Sequence, residues 1–241
     1  MNSIETKELT KVFKTRTAVD ALNLSVGEGE FFALLGQNGA GKTTTIRMLC
    51  CLTQPTSGEA YIMGKSVTKE PLEVKRLLNV SPQETAVATK LSVAENLELV
   101  GRLHGMSKAE AGERAAEMMA QFKLADRAKD RAKSLSGGMQ RRLSIAMALI
   151  TEPKVLFLDE PTLGLDVRAR RELWSHIEAL KGKITMVVTT HYLEEAEKYA
   201  DRIAIMEAGR IVALGDAQEI VSVSGKENFE EAFLSYTTEV E

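Results

Sequence analysis

Short apolar runs alternate with amphipathic stretches along this chain, and the two periods predict its elements. Ile4 to Phe13 and Ala21 to Val26 read as strands. Phe31 to Leu35 is apolar at every position and stops at Gly36, and a helical pattern begins at Lys42. Val155 to Leu158 and Thr185 to Val188 are equally compact runs without strict polar alternation. Strands covered on both faces have that composition, as in parallel sheets flanked by helices. Leu173, Ile177 and Leu180 recur at helical spacing. Ile203 to Met206 and Arg210 to Leu214, joined through Ala208-Gly209, read as a closing hairpin. A strand, a glycine-rich turn and a helix in succession open a βαβ unit, so the fold class is α/β.

Residues 86–133 break this pattern. They hold no convincing strand and are rich in Ala, Glu, Lys, Leu and Met. Ser92 with Glu95, and Ser107 with Glu110, have capping-box spacing, and Leu103-His104-Gly105 supplies a glycine stop. The segment therefore reads as an all-helical insertion. It divides a core formed by residues 1–85 and 134–221. The remainder, 222–241, is acidic. Phe229 and Phe233, one turn apart, predict a short amphipathic helix there, with the last residues fraying.

Composition narrows the class. The chain has 241 residues, 44% hydrophobic and 27% charged, with a net charge of -3. That balance is ordinary for a globular protein and argues against a general nucleic-acid binder. No uncharged stretch approaches the ~18 residues of a membrane-spanning helix. Met1 to Thr10 is charged rather than apolar, so no signal peptide is expected. Cys50 and Cys51 are neighbours whose side chains diverge by about 100° in a helix, which argues against a disulfide between them. His104 and His176 have no chemical context and read as surface residues. Trp174 reads as a packing residue.

Three stretches carry chemistry. Gly36-Gln37-Asn38-Gly39-Ala40-Gly41-Lys42-Thr43, followed by Thr44, fits the phosphate-loop pattern. Glycines let backbone N–H groups turn onto a phosphate, and the next helix aims its positive end at the same anion. Lys42 would reach the β- and γ-phosphates and the Thr43 hydroxyl would ligate Mg²⁺. Val155 to Glu160 is an apolar strand ending in two acids. Asp159 there can hold Mg²⁺ through water, and Glu160 can orient or deprotonate an attacking water. In Leu135-Ser136-Gly137-Gly138-Met139-Gln140, Ser136 can cap the following helix while both glycines expose N–H groups. That makes a second anion site with no phosphate loop beside it.

Taken together, these stretches closely resemble the ATP-binding cassette (ABC) ATPases over about residues 1–221. The resemblance implies a RecA-like core with a mostly parallel sheet, an antiparallel β subdomain and the inserted helical subdomain. Gln83, within Ser81-Pro82-Gln83-Glu84, resembles the Q-loop glutamine, which contacts metal and water. Gly164-Leu165-Asp166 resembles the D-loop, and His191 the switch histidine. Phe13 sits where the family stacks adenine, although a Phe ending a strand also suits a core. Ser136, Gly137, Gly138, Gln140 and Asp166 would bind the nucleotide held by a second subunit, head to tail. The resemblance thus implies ATP and Mg²⁺ as ligands. It also implies a second nucleotide-binding subunit, identical or related, and a separate transmembrane permease. The location implied is the cytoplasmic face of a membrane, peripherally bound. Asn38 to Leu49, the segment around Ser92 to Gly105, and Glu230 with Phe233 look most like drug, antibiotic or polysaccharide exporters, with an importer still open. Leu163, Val167 and Met147 depart from the commoner serine, proline and arginine. Two other readings compete: a soluble ABC-type ATPase acting on nucleic acid or ribosomes, and a nucleotide-responsive subunit without turnover.

Overall fold

The computed structural model describes residues 2–237. The chain opens with two long strands, β1 (Asn2–Phe13) and β2 (Arg16–Gly27), then β3 (Phe31–Leu35) and α1 (Lys42–Leu49). A second stretch gives β4 (Ser57–Ile62), β5 (Lys65–Ser66), α2 (Pro71–Leu77) and β6 (Leu78–Ser81). Next come α3 (Val93–Leu103), α4 (Lys108–Gln121), two single turns of 3₁₀ helix and α5 (Gly137–Leu149). The remainder runs β7 (Val155–Asp159), α6 (Val167–Glu178), β8 (Thr185–Thr190), α7 (Leu193–Tyr199), β9 (Arg202–Glu207), β10 (Arg210–Gly215), α8 (Ala217–Ser224) and α9 (Phe229–Tyr236).

Two sheets form. The larger has the order β10-β9-β3-β8-β7-β6, with only β10 antiparallel to its neighbour. The smaller is antiparallel, in the order β2-β1-β4-β5. Both sheets and the helical insertion match the expected architecture, a RecA-like α/β core.

The strands of the large sheet divide their side chains between two faces. Phe32, Leu34, Val155, Phe157, Val187, Ala204 and Met206 point towards the antiparallel sheet and α1. Leu156, Leu158, Met186 and Val188 face α5, α6 and the helical insertion, whose Val93, Leu97, Ala115 and Phe122 fill the other side. Ala33, Leu35, Ile203 and Ile205 face the C-terminal helices. Both faces are buried, which is why these strands read as unbroken apolar runs. Burying one such large side chain stabilises the fold by about 1.5–3 kcal/mol.

Helix ends follow the sequence. Ser92 and Ser107 accept from the N–H of Glu95 and Glu110, and both glutamates return the bond. Gly105 follows α3 at φ 93°. α9 docks Phe229 and Phe233 under the sheet, so residues 229–236 belong to the core packing rather than to a loose appendage. The expected fraying concerns 238–241, which lie outside the described residues.

One reading needs correction. His176 is not at the surface: it is 8% exposed and its ring lies 5.3 Å from that of Phe122. Burial pushes its pKa below the ordinary value, and Arg142 and Lys123 add to the shift. Its helix is charged on the outward face, and only the packing of α6 against the insertion reveals which way residue 176 turns. Trp174 is buried as expected and stacks on Tyr199 at 4.3 Å. Both cysteines are free. Among the described residues, no helix is long and apolar enough to cross a membrane.

Candidate functional site

The parallel strands β3, β7 and β8 end side by side, and the predicted chemistry gathers at their C-terminal ends. This is the edge where open α/β sheets bind ligands. The loop from Gly36 to Gly41 leaves β3 and feeds α1. Two of its glycines are sterically required. A Cβ on Gly36 would lie 2.4 Å from the Met206 carbonyl oxygen, and one on Gly41 2.5 Å from that of Ala18. Gly41 also sits at φ 109°, which a side chain would strain.

A cleft of about 490 Å³ opens over this loop. Asn38, Gly39, Ala40, Gly41, Lys42, Thr43 and Thr44 form its floor. Phe13, Gln83, Glu160, Leu163 and His191 close its sides, together with Arg16 and Ala18. Phe13 is 49% exposed, so it belongs to the cleft and not to the core. Gly36 and Gln37 complete the loop from below, where their carbonyls accept from Lys42 Nζ at 2.6 and 3.1 Å.

The charged groups are tightly interlocked. Thr43 Oγ1 and Thr189 Oγ1 both donate to Asp159 Oδ1, at 3.2 and 2.5 Å. Glu160 pairs through Oε1 with Lys42 Nζ at 3.4 Å and through Oε2 with His191 Nδ1 at 2.8 Å. Lys42 and Glu160 are each 5% exposed, so this pair is poorly screened by water. Glu160 adopts φ 46°, a left-handed conformation that costs of order 1–3 kcal/mol in a side-chain-bearing residue. Its N–H donates to Thr189 Oγ1 at 2.9 Å, which helps to hold that conformation.

Sequence reading missed Arg141, which sits on α5 and is 3% exposed. Its guanidinium donates to the carbonyls of Pro82 at 2.5 Å, Gln83 at 2.9 Å and Glu160 at 2.7 Å. Burial lowers its pKa, while Asp159 and Glu160 pull it back up. One side chain thus ties the helix behind Ser136-Gly137-Gly138 to the Gln83 loop and to the strand-end acid. The available signal was an arginine on the side of α5 that otherwise carries Ser144, Ile145 and Ala148.

The remaining predicted residues lie elsewhere. Ser136 and Gly137 are exposed, and Ser136 Oγ accepts from the Met139 N–H at 3.3 Å as the cap of α5. Gly138 is half-buried and packs near Ala169. Gln140 turns its amide inward, donating to the Ala132 and Leu135 carbonyls at 3.2 Å each. Asp166 caps α6 through the Ala169 N–H at 2.9 Å and is exposed. None of these five residues lines the phosphate-loop cleft. Of the three departures, Leu163 and Val167 are exposed, and Met147, half-buried on α5, packs against the core.

A phosphate loop on a RecA-like sheet, with an acid pair at the end of β7 two strands away across β8, defines a nucleoside-triphosphate-hydrolysing cassette. The family model described as ABC transporter matches residues 19–163. The daunorubicin/doxorubicin resistance ATP-binding protein DrrA of Streptomyces peucetius is 48% identical over 92% of this chain and 68% of its own length. The Nod factor export ATP-binding protein I of Cupriavidus metallidurans is 40% identical, over 90% of this chain and 72% of its own. Among solved structures, a dimeric ATP-binding cassette in a post-hydrolysis state with ADP and Pi superposes with a TM-score of 0.81 at 29% identity. It covers 88% of this chain and 98% of that one. The chain belongs to the ABC transporter family and is an ATP-binding, ATP-hydrolysing subunit. It spans about two thirds of the length of the DrrA relative.

Proposed function

We propose that this chain drives the export of an amphipathic small molecule through a separate transmembrane subunit, by ATP-dependent closure of a head-to-tail pair of cassettes. One observation carries the pairing. Ser136 and Gly137 form an exposed helix start, where the first backbone N–H groups have no partner within the helix, yet they are absent from the lining of their own chain's cleft. A second subunit's γ-phosphate is the anion that would complete them. Leu163 and Val167, 39% and 78% exposed, add apolar surface around Gly164-Leu165-Asp166 that a partner would cover. The same reading gives Gln140 and Asp166 a supporting role, shaping the two segments that face across.

In this scheme Gly36 to Thr44 cradle the phosphates, Phe13 stacks the base, and Lys42 bridges the β- and γ-phosphates. The Thr43 hydroxyl and the Asp159 carboxylate already converge, and both are hard oxygen donors, which fits Mg²⁺. Gln83 lines the same cleft and completes the set. Mg²⁺ bound there would neutralise charge on the phosphates and orient them. Glu160 takes a proton from water or aligns it for in-line attack. His191 donates to Glu160 and holds its carboxylate, and Lys42 offsets the developing charge. ATP closes the pair because it binds the closed state more tightly than the open one. Hydrolysis and phosphate loss remove the bridging anions.

The exporter assignment draws support from the names of the relatives. The exposed Leu99 and Leu103 on α3 are apolar surface suited to a membrane-embedded partner. On this reading the chain attaches peripherally at the cytoplasmic face of the membrane. The central test is Glu160→Gln. It should reduce ATP turnover at least about 100-fold, as expected for loss of a general base, while ATP traps a stable dimer in size-exclusion chromatography. Turnover at the parental rate would remove Glu160 from the mechanism.

A further inference from the structure

Three helices of this protein close a reciprocal cap with a glutamate three residues after the N-cap. In α3, α4 and α8 the glutamates Glu95, Glu110 and Glu219 bend back to the backbone N–H of Ser92, Ser107 and Asp216. In α7 the equivalent residue, Glu195, does not. Its N-cap Tyr192 receives no side-chain cap, and the Tyr192 N–H donates instead to Thr190 Oγ1 at 3.0 Å. Glu195 turns into the protein and is 5% exposed.

There it joins the two segments that flank the hydrolytic acid. Thr162 Oγ1 donates to one carboxylate oxygen at 2.6 Å, and Thr190 Oγ1 to the other at 3.0 Å. Both threonines are 1% exposed. Thr162 stands two residues after Glu160, at the start of the Gly164-Leu165-Asp166 loop. Thr190 immediately precedes His191. Arg170 of α6 approaches the same carboxylate at 3.7 Å and lies over the Tyr192 ring at 4.3 Å. The Tyr192 ring in turn lies 4.1 Å from that of His191, whose Nδ1 meets Glu160.

We infer that Glu195 is a positioning residue for hydrolysis, a buried brace that fixes His191 and the 161–166 loop in one mutual geometry around Glu160. The inference rests on the assignment of Glu160 and His191 to the hydrolytic step. A buried carboxylate is costly to desolvate, and a glutamate at this helix position has a ready alternative in the capping box. Two hydroxyl donors and a nearby guanidinium compensate it, and the first turn of α7 adds a favourable field. Because the brace acts through shape, reach matters more than charge. A glutamine keeps the span, since each threonine hydroxyl can also accept. An aspartate keeps the charge but is one methylene too short to meet both threonines.

The experiment compares Glu195→Ala, Glu195→Gln and Glu195→Asp in steady-state ATP hydrolysis and in equilibrium binding of a fluorescent ATP analogue. Displacing reacting groups by ~1 Å can cost about 100-fold. Glu195→Ala and Glu195→Asp should lower kcat about 10- to 100-fold with nucleotide Kd changed less than about threefold. Glu195→Gln should restore most of the lost turnover. Should Glu195→Ala fail to fold, the Gln and Asp variants decide the matter alone. Higher turnover in Asp than in Gln, or a loss confined to Kd, would overturn the brace. Parental turnover in Glu195→Ala alongside an inactive Glu160→Gln would refute the brace but spare the hydrolytic assignment. Parental turnover in Glu160→Gln would refute that assignment itself.

Discussion

Removing the Arg141 guanidinium should loosen the site and the fold together. Arg141→Met keeps the apolar stem and a similar length, and deletes donors to three carbonyls at 2.5, 2.9 and 2.7 Å. Hydrogen bonds from a charged donor contribute about 1.5–3 kcal/mol each, giving a gross loss of about 5–9 kcal/mol. Two effects reduce this figure. The variant no longer desolvates a guanidinium on folding, and water can enter the space to serve the freed carbonyls. A net destabilisation of about 3 kcal/mol remains, comparable with breaking a buried ion pair. For a chain of this size that corresponds to a fall in Tm of about 6–12 °C. The Gln83 loop and the strained Glu160 lose a shared anchor at the same time, so turnover should fall more than nucleotide affinity. Thermal melting by circular dichroism, paired with ATPase assays, measures both. A Tm within about 2 °C of the parent together with unchanged turnover would refute the reasoning.

Further outcomes follow from other parts of the molecule. Ser136→Arg places a long cation at the exposed start of α5, so ATP should still bind the single chain while dimerisation by Glu160→Gln, measured by light scattering, is lost; equal dimerisation in the double variant would argue against a shared site. His176 has a folded-state pKa depressed by burial. The unfolded chain therefore binds more protons in the window from the folded pKa up to the ordinary value near ~6.5, and stability falls as pH drops through that window. Urea melts at pH 5 and 8 should show this acid penalty in the parent, at most about 1.4 kcal/mol per pH unit, and its absence in His176→Leu. An equal pH dependence in both would place the titration elsewhere.

Several elements escaped the sequence reading for identifiable reasons. β6, with a half-buried pattern over Leu78 to Ser81, lies at the sheet edge and lacks the apolar run of its neighbours. β4 exists through pairing with β1, in which Ile4 lies opposite Ile62, and β5 through pairing with β4, and no local period announces such partners. α2 is a single short helix behind Pro71. Arg141 and Glu195 are charged residues on amphipathic helices, where the default is a solvated side chain. Each is buried because backbone carbonyls or threonine hydroxyls from distant segments happen to surround it.

Local chemistry alone determined the class of this protein. The continuous apolar runs of β3, β7 and β8 demand cover on two faces, the glycines between Gly36 and Gly41 permit an anion-cradling turn, and the capping boxes start the inserted helices. Those are short-range constraints, and short-range constraints are written in consecutive residues. Tertiary structure decided the convergence: Thr43 meets Asp159 across 116 positions, Lys42 meets Glu160, Arg141 reaches the Glu160 carbonyl, and Glu195 joins Thr162 to Thr190. Such contacts depend on which strands neighbour one another, and hydrophobic burial over the whole chain, rather than any local spacing, sets that order.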